Sequence, residues 1–120
     1  MKLLVCGDRH WTNVFKIREE IMKLHEQTPI SLIIEGEAKG ADTIGRLVAE
    51  ELGISVKKFP ANWNEYGRAA GPIRNRQMLD EGPDMVYAFH NNIDQSKGTK
   101  NMISIAKAKS ISVKLFTETT

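Results

Sequence analysis

Three arginines, two aromatics, two glycines and a proline fall within NWNEYGRAAGPIRNRQM (Asn62–Met78), a stretch with no run of core residues. Each type suits one part of a nucleotide. Trp63 and Tyr66 offer flat faces on which a base can stack. A guanidinium presents its N–H groups in a fork that matches phosphate oxygens. AAGP lets the backbone pass close to another group, and Pro72 suits a first helical turn, where no amide is needed. Arg74 and Arg76 are two positions apart, hence roughly 160° apart around a helix, and should not clasp one group together. Arg74, near the helix start, is the expected phosphate ligand. Arg76 would pair with an acid or with a neighbouring subunit, and Arg68 could join either. The plain alternative is an irregular loop with solvated arginines.

Three other polar segments follow short apolar runs. In GDRHW (Gly7–Trp11), Gly7 permits a tight turn, Arg9 and His10 bring charge, and Trp11 brings a stacking face or a cover for the core edge. In EGEAKGAD (Glu35–Asp42), Gly36 and Gly40 flank a turn into a helix whose amides can meet an anion. Asp42 reads equally as a helix-start carboxylate or as a partner for ribose hydroxyls. HNNIDQSKGTKNM (His90–Met102) ends in Gly98-Thr99 at another helix start. There, backbone amides and the Thr99 hydroxyl could cradle a phosphate, or Ser96 and Thr99 could simply cap the helix.

Other chemistries find little support. No Gly-Lys-Ser/Thr follows the second loop, so it is not a Walker A loop, and no GxSxG elbow occurs. Three scattered histidines and one cysteine give no metal-ligand spacing, so neither metal nor cofactor is expected. Cys6 sits inside an apolar run, which suits the core better than nucleophilic attack. Glu35, Glu37 and Asp42 are the carboxylates available for acid–base work, with Glu35 and Asp42 the stronger candidates.

These loops need a frame. The chain has 120 residues, which suits a single domain, and its 41% hydrophobic and 27% charged content is that of a globular protein. A net charge of +2 is too mild for a protein devoted to non-specific nucleic-acid binding. One cysteine allows no internal disulfide, and no stretch approaches a signal-peptide core or a membrane span, so a cytoplasmic setting is expected. KLLVC, ISLIIE, ISVKKF, DMVYAF and ISVKLF read as strands. The first, second and fourth are nearly all apolar, as strands covered on both faces should be, while the Lys-bearing third and fifth suit sheet edges. Helical patterns lie between them: Val14, Ile17, Ile21 and Leu24; then Ile44, Leu47, Val48 and Leu52, closed by Gly53; then Met102, Ile105 and Ala106. The helix from Pro72 onward is the exception, because Ile73, Met78 and Leu79 share no face. Strand–helix alternation predicts an α/β, Rossmann-like three-layer sandwich with a five-stranded parallel sheet in order 3-2-1-4-5 and four helices. In such sheets ligands bind beyond the carboxyl ends of the strands, where all four polar loops would stand. The tail TETT (Thr117–Thr120) is expected to fray.

Together VCGDRHW, EGEAKGAD, FPANWNEYGRAAGPIRNRQM and GTKNM, in this order and spacing, resemble the DUF2493 or YspA-like family of the SLOG superfamily. That superfamily also holds the Lonely Guy phosphoribohydrolases and DprA-type DNA-processing proteins. The resemblance runs from Lys2 to about Phe116. It implies a nucleotide or nucleotide-derived ligand, such as an ADP-ribose relative. It also implies a homo-oligomer and a bacterial or phage origin, with the host cytoplasm as the setting in the latter case. Carried over position by position, the binding residues are Gly7, Arg9, Trp11, Gly36, Gly40, Asp42, Trp63, Arg74, Asn75, Arg76, Gly98 and Thr99. The Lonely Guy PGGxGTxxE motif is only half present, since Lys100, Asn101 and Met102 follow Gly98-Thr99 with no glutamate. Three readings stay open. The first is a ligand-binding sensor or sequestering module, and the second an N-glycosidase or phosphoribohydrolase. The third, a DprA-like nucleic-acid protein, is disfavoured by the charge.

Overall fold

A computed structural model describes residues 1–119, so an expectation of fraying at Thr120 lies outside the described residues. Five strands form one parallel sheet among them: β1 (Lys2–Gly7), β2 (Leu32–Glu35), β3 (Ser55–Lys58), β4 (Met85–Phe89) and β5 (Ser112–Phe116). Their order is β3-β2-β1-β4-β5, the predicted one. Register is fixed by pairs such as Leu3 with Ile33 and with Met85. Alternation along β1 explains the layers. Leu3 and Val5 meet α1 (Val14–Gln27) and α2 (Ala41–Leu52) on one face, through Ile17, Ile21, Ile44 and Val48. Leu4 and Cys6 meet α4 (Ala70–Asp80) and α5 (Gly98–Ala108) on the other, through Met78, Leu79, Met102 and Ala106. A strand buried on both faces must be apolar at every position, which is why β1 reads as one continuous run.

Local signals set the helix ends. Asn13 Oδ1 accepts the Lys16 amide to open α1, and Gly53, at φ 72°, closes α2. Val14 and Leu47, expected on the buried stripes, are exposed, so those stripes are narrower than the residue spacing predicts.

A one-turn helix, α3 (Trp63–Tyr66), and a 3-10 turn (Gly67–Ala69) precede α4, in addition to the four expected helices. The Asn62 side chain accepts the Glu65 amide at 3.1 Å, which starts α3 locally without a buried face. α4 does bury a face, built from Ala70, Gly71, Asn75, Met78 and Leu79. Its stripe escapes the sequence because small residues and an asparagine occupy it. Before Thr120 the tail is held, since the Glu118 amide donates to Asn91 Oδ1 at 2.9 Å.

Candidate functional site

The chain runs from β1 outward to β3 on one side and then to β4 and β5 on the other. β1 and β4 are therefore the neighbours at which strand order reverses. A cleft of about 500 Å³ opens beyond their carboxyl ends. Gly7 ends β1 and Asp8 to His10 follow it, Ala38 and Asp42 follow β2, and Trp63, Arg74 and Asn75 come from α3 and α4. His90 and Gln95 to Thr99 follow β4, while Cys6, Met78 and Met102 supply an apolar floor. One wall is therefore rich in cations and amides and the base is apolar, as small-molecule sites usually are.

Arg74 is fastened at two points. Nη1 donates to the Gly36 carbonyl at 2.8 Å and Nε donates to Asn75 Oδ1 at 3.2 Å. Across from it, Asp42 Oδ2 accepts the Gly36 amide at 3.0 Å and the Ala38 amide at 3.3 Å. Gly36 is squeezed between the two. A Cβ there would fall 2.6 Å from Arg74 Nη1 and 2.9 Å from Asp42 Oδ2. Gly36 is thus what lets the guanidinium and the carboxylate share one loop.

Asn75, also buried, ties α4 to the start of α5. Its Nδ2 donates to the Gly98 carbonyl at 3.1 Å and to Asn101 Oδ1 at 3.0 Å. The Thr99 amide donates to Ser96 Oγ at 3.0 Å, so Ser96 is the capping hydroxyl. The leading amides of α5 have no partner within the helix, and its positive end faces the cleft that Gly98 and Thr99 line. Nothing lies within 4 Å of where a Gly98 Cβ would stand, so open space begins there. Asn75→Ala removes the hydrogen bonds to Gly98, Asn101 and Arg74 and with them the tie between α4 and α5, and is expected to lower unfolding free energy by about 1–3 kcal/mol. Urea titration of the variant beside the parent protein checks this.

Burial pushes the Asp42 carboxyl up from 3.8 to about 7, against the pull of Arg74 and the Ala38 and Gly36 amides. Burial also raises Glu35, which accepts the Glu37 amide at 2.6 Å on Oε2 and leaves Oε1 without a hydrogen-bond partner among the described residues. Between about pH 4 and pH 7 the unfolded chain therefore releases a proton that folded Asp42 keeps. Stability should fall as pH rises through that window and level off above it, at about 1.4 kcal/mol per pKa unit of displacement. Glu35 acts in the same direction. Denaturant midpoints at pH 4, 5.5 and 7 should spread less for Asp42→Asn than for the parent, with Glu35 supplying the remaining slope. Burial likewise drives the Cys6 thiol far upward, away from nucleophilic reactivity.

The cleft gathers Gly7, Arg9, Asp42, Trp63, Arg74, Asn75, Gly98 and Thr99, together with His10 and His90. Other candidates lie elsewhere. Trp11 is buried edge-on to Phe89, with Nε1 donating to the Asn13 carbonyl, and has no face free for stacking. Gly40, at φ 74°, is pressed against the Asp8 carbonyl, which accepts the Ala41 amide at 3.1 Å. It packs the first two loops together. Gly36 acts through Arg74 and Asp42. Arg76 is exposed and does not line the cleft. Glu35 is fully buried with Arg46 and Lys58 near it, again outside the cleft. Sequence reasoning passed over Lys97 and the floor formed by Met78 and Met102. Lys97 directly precedes Gly98-Thr99 and could have been found there, whereas the methionines read as ordinary core. Among the described residues no three of His, Cys, Asp and Glu converge as metal ligands, and no helix is long and apolar enough to cross a membrane.

A five-stranded parallel sheet covered by helices on both faces, with polar loops gathered at its switch point, defines a Rossmann-like α/β architecture. Within that class, the chain belongs to the family described as the YspA, cpYpsA-related SLOG family, whose profile matches residues 1–66. The match takes in the loops after β1 and β2 and ends before α4. Membership suggests binding or processing of a nucleotide-related ligand. The chain is also similar to the Gene 61 protein of Mycobacterium phage D29, with 27% identity over 118 residues, covering 93% of each chain. No solved structure matches it.

Proposed function

We propose that this chain binds a nucleotide or nucleotide-derived ligand, ADP-ribose relatives included, in the cleft beyond β1 and β4, and serves as a sensor or sequestering module. One observation carries the reading. Arg74, fixed by Gly36 and Asn75, stands on the same cleft as the start of α5, and Trp63 lines that cleft with 58% of its surface exposed. A phosphate there meets a guanidinium, the Lys97 ammonium and helix-start amides, while a base finds an indole face. Exposed Arg76 is available to a second copy of the chain in a homo-oligomer. Calorimetric titration with 5′-mononucleotides and ADP-ribose tests the reading. Saturable binding with unaltered ligand recovered from denatured protein supports it, and no binding across the panel overturns it.

A second reading is favoured by Asp42. A cleft carboxyl held near 7 can give or take a proton at neutral pH, as base cleavage from a nucleotide requires. Glu35, buried outside the cleft, is poorly placed to help. Release of free base that Asp42→Asn abolishes supports hydrolysis over simple binding.

A further inference from the structure

Gly36 and Glu37 share one peptide unit, and that unit is gripped from both sides. Its carbonyl accepts Arg74 Nη1 at 2.8 Å, and its N–H donates to Glu35 Oε2 at 2.6 Å. The N–H and C=O of a trans peptide point in opposite directions, so whichever group takes the amide also aims the carbonyl. The backbone itself disfavours this orientation. Glu37 sits at φ 58°, in the left-handed region that residues other than glycine enter at a cost. Turning the peptide over changes ψ of Gly36 and φ of Glu37 together, and it would return Glu37 to ordinary extended backbone. The flanking peptides are tied down separately, because the Gly36 and Ala38 amides both donate to Asp42 Oδ2, so such a turn is confined to one peptide. Glu35 is also held at a cost. Its side chain is fully buried and Oε1 has no hydrogen-bond partner among the described residues, which an apolar side chain of the same size would avoid.

We infer that Glu35, outside the cleft, is a positioning residue: its carboxylate keeps the Gly36–Glu37 peptide with the carbonyl toward Arg74, and that carbonyl holds the guanidinium ready for a phosphate. The consequence for a ligand rests on the cleft reading above, whereas the grip on the peptide does not. Without an acceptor at position 35 the peptide turns over, Glu37 leaves the left-handed region, and Arg74 keeps only its bond to Asn75. Binding then weakens, because a loosened side chain must be ordered again when the phosphate arrives. Stability does not fall with it, since the strain at Glu37 and the orphaned oxygen of Glu35 both disappear.

Glu35→Met fills a similar space with no acceptor for the Glu37 amide. In calorimetry at pH 7 it should bind adenosine 5′-monophosphate at least fivefold more weakly than the parent protein, with a urea midpoint no lower. Glu35→Gln, which still offers an oxygen, should bind at least threefold tighter than Glu35→Met. Adding Glu37→Gly to Glu35→Met should recover at least twofold, because glycine adopts the left-handed turn freely. On an Arg74→Ala background, Glu35→Met should change affinity less than twofold. Without ligand, the Arg74 Nε–H should exchange with solvent at least fivefold faster in Glu35→Met than in the parent. Affinity of Glu35→Met within twofold of the parent, while Arg74→Ala weakens binding, overturns the inference and leaves the cleft reading standing. An equal loss with and without Arg74, or a lowered midpoint alongside the weaker binding, overturns it as well. If the parent binds no nucleotide, the cleft reading falls, and the ligand-free exchange of Arg74 decides for or against Glu35 by itself. Should Glu35→Met fail to fold, the parent decides, since a Glu37 amide exchanging as fast as that of exposed Lys39 overturns the inference and a slower one upholds it.

Discussion

Arg74→Ala is expected to weaken binding of a 5′-phosphorylated nucleotide at least tenfold, with a much smaller effect on stability. The guanidinium is held in place before any ligand arrives, by Gly36 on one side and Asn75 on the other. Little side-chain entropy then remains to be lost when a phosphate binds. A charge-assisted contact of this kind contributes about 1.5–3 kcal/mol, and about 1.4 kcal/mol is tenfold in affinity. Truncation also leaves the Gly36 carbonyl without its donor and lets the loop over Asp42 relax. Arg74→Lys separates the two effects. It keeps a charge but cannot hold the Gly36 carbonyl and the Asn75 side chain with one planar fork, so affinity should fall between parent and alanine. Calorimetric titration of the three proteins checks the order, and an alanine variant within twofold of the parent removes Arg74 from the site.

The largest stability change is expected at Gly7. Its φ of 154° lies where side chains are rare, and a Cβ there would clash with the Phe89 carbonyl and stand 2.9 Å from Ala41 Cβ. Gly7 pairs with Phe89 in the sheet, and the Phe89 carbonyl accepts the Asp8 amide at 2.8 Å, so the neighbour cannot withdraw without breaking the ladder. Overpacking and backbone strain together should make Gly7→Ala less stable by about 3 kcal/mol or more. Gly98→Ala is the informative contrast. Open space surrounds Gly98, and alanine favours a helix over glycine by about 0.5–1 kcal/mol. That variant should be as stable as the parent or more so, and its methyl group should occupy room the ligand needs. Thermal unfolding and nucleotide titration on both variants should therefore show opposite patterns.

The two glycines also mark what the amino-acid sequence discloses. Strands, sheet order and three helices with clear stripes are legible because apolar runs and periodic spacing follow directly from burial on one face or two. Helical geometry places Arg74 and Arg76 on different sides of α4, and of the two only Arg74 lines the cleft while Arg76 is exposed without the acidic partner expected of it among the described residues. Glycine and tryptophan mislead because one residue type serves several purposes. Gly7 lines the cleft but is demanded by the Phe89 carbonyl, and Gly40 is demanded by the Asp8 carbonyl. Trp11, in a polar loop, satisfies its indole N–H on Asn13 and disappears into the core. Glu35 and Asp42 look alike in EGEAKGAD, yet only Asp42 lines the cleft. Those distinctions depend on contacts between distant segments, which no local pattern carries. The buried face of α4 was illegible for a related reason, since Asn75 takes a core position to brace α5.

Amide and side-chain N–H chemical-shift mapping during titration with ADP-ribose tests the central claim most directly. A nucleotide-type ligand in this cleft predicts saturable shifts concentrated at the amides of Gly98 and Thr99, the Arg74 Nε–H and the Trp63 indole N–H. Residues of the opposite helical layer, such as Phe15 and Met22, should stay unmoved. Saturable shifts centred on that opposite layer, with Gly98, Thr99 and Arg74 unmoved, would contradict the account.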